Sequence, residues 1–427
     1  MSDTVSYAAD LECARGLDAA DALAPYRERF HIPRRPDGQP VIYFCGNSLG
    51  LQPRDVERAL LEELEDWRQL AVHAHFQGRH PWYSYHELFR ETGARLVGAL
   101  PGEVVMMNSL TTNLHLLLVS FYRPTAERAK ILIEDAAFPS DIYAVKSQLR
   151  FHGRDPETDL VVAKPRVGES WVRTEDLEEL LAVHGERIAL VLLGGVNYFS
   201  GQLFDLARIT RAAQARGCVV GFDLAHAAGN AELRLHDWNV DFAVWCSYKY
   251  LNSGPGAVAG CFVHERHGRD HELPRFAGWW GNDPQQRFQM HLMADFEPQA
   301  GADGWQLSNP PILALAPLRV SLDIFDHVGM AALRAKSVRL TGYLEYLLDR
   351  LPGGLEILTP RAPGERGCQL SIRVPGNGRA TLAELERAGV VCDFRAPDVI
   401  RVAPVPLYNS FEDVFRFASY LGAHTGG

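Results

Sequence analysis

With 427 residues, 47% of them hydrophobic and 22% charged, the chain is long enough for one large core and a smaller second domain. A formal net charge of -10 argues against general nucleic-acid affinity, and no apolar run approaches the ~18 residues that a membrane span needs. Seven cysteines without a C-x-x-C pair argue against a disulfide framework or a structural zinc site, and Met1 to Asp10 lacks the basic start and apolar core of a signal peptide. The expectation is a cytoplasmic protein acting on a small molecule, with no membrane or nucleic-acid partner.

Residues 1–50 contain a helical stretch but too little apolar material for a core of their own, so they are expected to pack with the small domain. Further along, short apolar runs alternate with amphipathic stretches. Glu103 to Met107, Lys130 to Glu134, Ile188 to Leu193, Cys218 to Phe222 and Asp241 to Trp245 read as strands, with helices over 174–184 and 206–216 between them. That alternation predicts an α/β class fold: a mainly parallel sheet covered by helices on both faces, with the active site beyond the strand carboxyl ends. Ser308-Asn309-Pro310-Pro311 stops this domain. Two helices over 312–351, then strands at Gln369 to Val374, Val390 to Cys392 and Val399 to Val402, predict a smaller α+β domain. The expected division is an N-terminal segment at 1–50, a large cofactor-binding domain at 51–311 and a small domain at 312–427.

Lys249 is the most telling residue. The chain has only five lysines against many arginines, yet an amine follows the apolar run Val240 to Cys246 and opens the small-residue stretch from Ser247 to Gly256. A lysine amine can lose its proton and attack an aldehyde, which arginine cannot. A lysine snorkelling from a strand end is the plainer alternative. Asp223 follows another strand, in Asp223-Leu-Ala-His226. Alone it could cap a helix or, with His226, begin a metal site, but two ligands are too few. Together with Lys249 it suits pyridoxal 5'-phosphate (PLP), because a buried carboxylate keeps the pyridine nitrogen protonated and the ring an electron sink. His226 would stack on that ring or hydrogen-bond near it. Asn108 to Asn113 gathers hydroxyls and amides at a predicted helix start, where an anion is stabilised, although Ser and Thr there often serve only as caps. Phe138-Pro139-Ser140-Asp141 lies just past a strand, where an aromatic ring could lie against a cofactor or where a simple turn could occur.

Several strings, in order and spacing, closely resemble kynureninase, a fold-type I PLP-dependent hydrolase. They are Tyr43 to Gly50, Phe138 to Asp141, Gly221 to Ala227, Ser247 to Asn252, Arg287-Phe288, Ser308 to Pro311 and Ile400 to Asn409, so the likeness covers nearly the whole chain. The resemblance implies a homodimer, PLP on Lys249 and Asp223 at the pyridine nitrogen, with Tyr248 as a second proton carrier beside the lysine. It places Leu110, Thr111, Phe138, Asp141, His226, Tyr248, Trp279 and Asn309 at the remaining cofactor contacts, and Arg401 at the substrate α-carboxylate. His75, Ser308 and Asn309 match positions associated in animal enzymes with 3-hydroxykynurenine, while Trp280 stands where that pattern more often has Phe. The implied reaction is hydrolytic Cβ–Cγ cleavage of L-kynurenine or 3-hydroxy-L-kynurenine to anthranilate or 3-hydroxyanthranilate plus L-alanine, in tryptophan catabolism or NAD biosynthesis. The rivals are a cysteine desulfurase, an aminotransferase, and a PLP-dependent transcriptional regulator; the first needs a mobile nucleophilic cysteine and the last a basic DNA-binding segment.

Overall fold

The computed structural model describes residues 6–425, so the first five residues of the segment read for a signal peptide lie outside it. In chain order the strands are β1 (Ile42–Tyr43), β2 (Val104–Met106), β3 (Lys130–Glu134), β4 (Leu160–Ala163), β5 (Ile188–Gly194), β6 (Val219–Asp223), β7 (Phe242–Trp245), β8 (Gly260–Val263), β9 (Glu356–Ile357), β10 (Leu370–Arg373), β11 (Val390–Val391), β12 (Asp393–Arg395) and β13 (Val399–Val402).

The large sheet has the order β2-β8-β7-β6-β5-β3-β4. Its strands from β7 to β4 run parallel, and β8 runs antiparallel to both β7 and β2, so β2 points the same way as the parallel set. The helices Pro139–Phe151, Thr174–His184 and Leu206–Gln214 connect β3 to β4, β4 to β5 and β5 to β6. Strand β5 is apolar along almost all its length because both faces are covered: Leu190 and Leu192 enter one buried cluster and Val191 and Leu193 the other. The ladder between β5 and β6 runs through Gly194 opposite Asp223. Asp223 is therefore the last residue of its strand rather than the first beyond it, and its position is set by the sheet.

The small sheet, β12-β13-β10-β9, is antiparallel throughout. It buries Leu370, Ile372, Ile400 and Val402 against Leu340 and Leu344 of the helix Met330–Leu348 and Phe417 of the helix Phe411–Thr425. Ala14, Ile42 and Phe44 belong to the same cluster. Strand β1 pairs in parallel with β11, and both Asp18 oxygens accept backbone N–H groups at the start of the last helix, from Phe411 at 2.7 Å and Glu412 at 2.9 Å. These bonds tie the N-terminal segment to the C-terminal part of the chain.

Elsewhere Glu103 acts as a buried pin. Its carboxylate accepts the N–H of Leu100 and of Glu265, each at 2.8 Å, and lies 3.0 Å from Nδ1 of His236. No helix among the described residues is long and apolar enough to cross a membrane.

Candidate active site

The carboxyl ends of β2, β3, β5, β6 and β7 open on one small cleft of about 70 Å³. Each strand delivers its residues at the point where its ladder ends. Leu110 and Thr111 follow β2; Phe138 and Asp141 follow β3, which ends at Glu134; Tyr198 follows β5; His226 follows Asp223 of β6; Tyr248 and Lys249 follow β7.

The lysine loop is held at both ends. Ser247 donates its hydroxyl to the Val258 carbonyl at 2.6 Å, and the Ser253 N–H returns to the Ser247 carbonyl at 3.1 Å. Gly50 donates its N–H to the Tyr248 carbonyl at 2.8 Å, and a Cβ at Gly50 would meet the Lys249 carbonyl at 2.4 Å. The N-terminal string Tyr43 to Gly50 thus lies on the lysine loop, and only glycine permits that approach. From this loop Nζ of Lys249 reaches Nε2 of His226 at 3.0 Å and stands 5.6 Å from the Phe138 ring centroid. Burial, reinforced by the nearby Lys249 charge, holds the His226 imidazole well below its usual pKa, so the ring is neutral and accepts from the lysine.

Three buried carboxyl groups form the floor. Asp223 accepts the Ala225 N–H at 2.7 Å and is hydrogen-bonded to Asp141. Burial raises both of their pKa values, most strongly that of Asp141, whose neighbour Asp223 adds like charge. Glu134 receives the Gly194 N–H on both oxygens, at 3.1 and 3.3 Å, and burial pushes it up to about 7. Burial also raises the Tyr248 phenol above its ordinary value.

At the opposite wall two helices begin side by side. Leu110–Phe121 starts after Ser109 and Pro139–Phe151 after Phe138, and the hydroxyls of Thr111 and Ser140 meet at 3.1 Å. Paired helix N-termini carrying hydroxyls suit a phosphate. With a lysine amine at the mouth, a buried carboxyl pair at the floor, and Asp141 Oδ1 and His226 Nδ1 buried without partners, the residues present fit PLP.

Arg401 sits on β13 with its side chain 1% exposed, and burial lowers its pKa to about 10. Its Nη1 donates to the Tyr198 carbonyl at 2.5 Å; the same carbonyl accepts from Gln369, which in turn accepts from Asn47 at 2.9 Å. The Tyr198 ring lines the cleft and meets the Phe138 ring edge to face at 5.3 Å, so it links the cleft to Arg401, which does not itself line it. Tyr198 and Glu134 were not among the sequence-derived candidates. Both stand at or just past the end of a predicted strand, which is the signal that could have found them.

Not every candidate reaches this cleft. Trp279, Ser308, Asn309 and His75 do not line it. Trp279 is 38% exposed, Ser308 and Asn309 are exposed, and His75 packs on Trp82 at 5.4 Å. They share one neighbourhood instead: Trp280 donates its backbone N–H to the Leu307 carbonyl at 3.3 Å, and its ring adjoins Tyr83, which contacts Phe76.

A mainly parallel sheet with a lysine after β7 and a buried carboxylate on its central strand defines the fold-type I class of PLP-dependent enzymes. Solved structures agree on the fold: the cysteine desulfurase CsdA of Escherichia coli superposes with a TM-score of 0.75 at 17% identity, covering 93% of this chain and 97% of that one. A cystine C-S lyase in complex with its product cysteine persulfide gives 0.74 at 21%, covering 91% and 98%. The curated relatives are more specific. Kynureninase of Myxococcus xanthus is 62% identical over 412 residues, covering 96% of each chain, and that of Koribacter versatilis 59% over 409, also covering 96% of each. Residues 333–421 match the kynureninase C-terminal domain. The chain belongs to the kynureninase family.

Proposed function

We propose that the Lys249 cleft is where this chain performs its family's reaction, the PLP-dependent hydrolytic cleavage of the Cβ–Cγ bond of L-kynurenine or 3-hydroxy-L-kynurenine. The products are anthranilate or 3-hydroxyanthranilate and L-alanine. The observation that carries the reading is the placement of Lys249 and Asp223, at the ends of neighbouring strands, in one cleft with Asp141.

In this reading Lys249 would supply the amine that links the cofactor, Asp223 and Asp141 would hold the proton of the pyridine nitrogen, Leu110 and Thr111 would receive the phosphate, and Phe138 and His226 would lie by the ring. Bound PLP supplies an electron sink for the bonds broken at the substrate α- and β-carbons. Arg401 grips the substrate carboxylate and fixes the angle at which the α-hydrogen faces Lys249, a contribution of positioning. Lys249 would also move the substrate α-proton, with Tyr248 as second carrier. His226, neutral and 3.0 Å away, accepts from the lysine ammonium and does not compete as an acid.

The thiols speak against the desulfurase alternative. Burial pushes Cys45 and Cys246 up to about 11 and Cys368 up to about 12, so none of these offers an activated thiolate.

The exposed neighbourhood of Trp279, Ser308, Asn309 and His75 supports a homodimer in which these residues complete the partner's cleft, with Trp279 and Asn309 on the cofactor and His75, Ser308 and Asn309 at the substrate ring. The division at residues 50 and 311, a cytoplasmic setting, and a role in tryptophan catabolism or NAD biosynthesis go with the same reading.

The test follows L-kynurenine and 3-hydroxy-L-kynurenine in parallel by absorbance, with alanine quantified. Alanine formed in step with the aromatic product is expected, with the larger kcat/KM for the hydroxylated substrate. Sulfide from cysteine with neither aromatic product would overturn the reading.

A further inference from the structure

Arg401 has more partners than a carboxylate clamp requires. Asp393 and Arg401 stand directly opposite each other in the ladder of β12 and β13, so both side chains leave the same face of the small sheet. Arg395, two residues along β12, leaves that face as well. One oxygen of Asp393 is shared: Oδ2 pairs with Nη2 of Arg401 and with Nη2 of Arg395, the latter at 3.0 Å. Tyr198 closes the group, with its carbonyl on Arg401 Nη1 and each guanidinium carbon 5.7 Å from its ring centroid. The Nε atoms of both arginines are buried and have no partner.

These contacts leave one edge of Arg401 free. A guanidinium presents five N–H donors in a planar fork. Asp393 and the Tyr198 carbonyl each occupy one terminal nitrogen, while the partnerless Nε–H and the remaining terminal hydrogens are left for a two-pronged carboxylate. The charges agree with this geometry. Two guanidinium cations face one carboxylate, which leaves a single positive charge for one anionic group to balance.

We propose that Asp393 and Arg395 are positioning residues for Arg401: Asp393 anchors the terminal nitrogens so that the Nε edge faces the substrate, and Arg395 draws off part of the Asp393 charge so that Arg401 keeps its own. The proposal rests on the reading of Arg401 as the α-carboxylate clamp. Without Asp393 the guanidinium loses the anchor that selects its edge. Without Arg395 the Asp393 carboxylate pairs with Arg401 alone and competes with the substrate.

Asp393→Asn and Arg395→Gln in the PLP-loaded full chain test this. Each is expected to raise KM for kynurenine about tenfold, with a smaller fall in kcat from the lost positioning of the α-hydrogen. Two competitive inhibitors supply a readout that simple structural damage would not move: a substrate analogue with the α-carboxylate should weaken about tenfold, and the matching amine without it should be unchanged. PLP affinity, measured by titrating the apoenzyme, should stay as in the wild type. Equal weakening of both inhibitors, or a loss of PLP affinity, would overturn the proposal. Arg401→Gln separates the two readings. If it keeps the wild-type preference for the carboxylate-bearing inhibitor, the clamp itself fails. If it abolishes that preference while Asp393→Asn and Arg395→Gln keep it, the clamp stands and the positioning role is rejected.

Discussion

Nε2 of His226 stands 3.0 Å from Nζ of Lys249, and the two residues reach each other because their strands are neighbours: Asp223 of β6 is registered with Val244 of β7. His226 lies three residues beyond Asp223 and Lys249 five beyond Val244, so both chains turn over the same sheet edge. The imidazole is buried and neutral, which makes it an acceptor that orients the lysine and leaves proton transfer to the lysine itself.

Lys249→Ala should therefore remove the visible absorbance of lysine-bound PLP and all measurable turnover. The fold should survive, because the loop is held by backbone and serine contacts that the substitution leaves in place. Absorbance spectra, product assays and circular dichroism check this. Retained activity in the variant would reject Lys249 as the cofactor lysine.

Glu134 predicts a pH-dependent stability. Burial raises its carboxyl from the usual 4.5 to about 7, so the folded chain binds this proton more tightly than the unfolded chain does. The sign follows: stability falls as pH rises from about 4.5 through 7, and the penalty of roughly 3 kcal/mol is complete above that window. Glu134→Gln mimics the protonated acid. Its apoprotein should melt several degrees above the wild type at pH 8.5, with the difference nearly gone at pH 5. Thermal scans at the two pH values decide it, and a constant difference would show that Glu134 is not the titrating group.

Lys336 and Asp21 form a 2.7 Å ion pair in which each side chain is only 5% exposed. It joins the N-terminal segment to the helix Met330–Leu348. Lys336→Met alone leaves a buried carboxylate without its partner and should cost about 3–5 kcal/mol, whereas adding Asp21→Leu should recover most of that loss. Denaturant unfolding of the two single variants and the double variant measures the coupling. Additive losses would show that the pair contributes little.

The sequence by itself determined the strand and helix alternation, the lysine after its apolar run, the acid that ends a strand, and the family, because each of these is written in consecutive residues. Apolar runs bounded by small or polar residues, and a residue's place in such a run, are local properties of the chain. The tertiary structure decided which of those strand ends meet. The sheet order sets β5 beside β3 and leaves β4 at the edge, so Glu134, Asp141, Tyr198 and Asp223 converge although up to 89 residues separate them. In the same way the register of β12 with β13, absent from either strand's own sequence, sets Asp393 against Arg401. The tertiary structure also set Trp279, Ser308, Asn309 and His75 apart from the Lys249 cleft of their own chain, which a family string cannot reveal. The physical reason is common to these cases: hydrogen-bonded pairing between strands distant in sequence, and the close packing that fixes its register, decide proximity, whereas residue type and local pattern decide only what each position can do once it arrives.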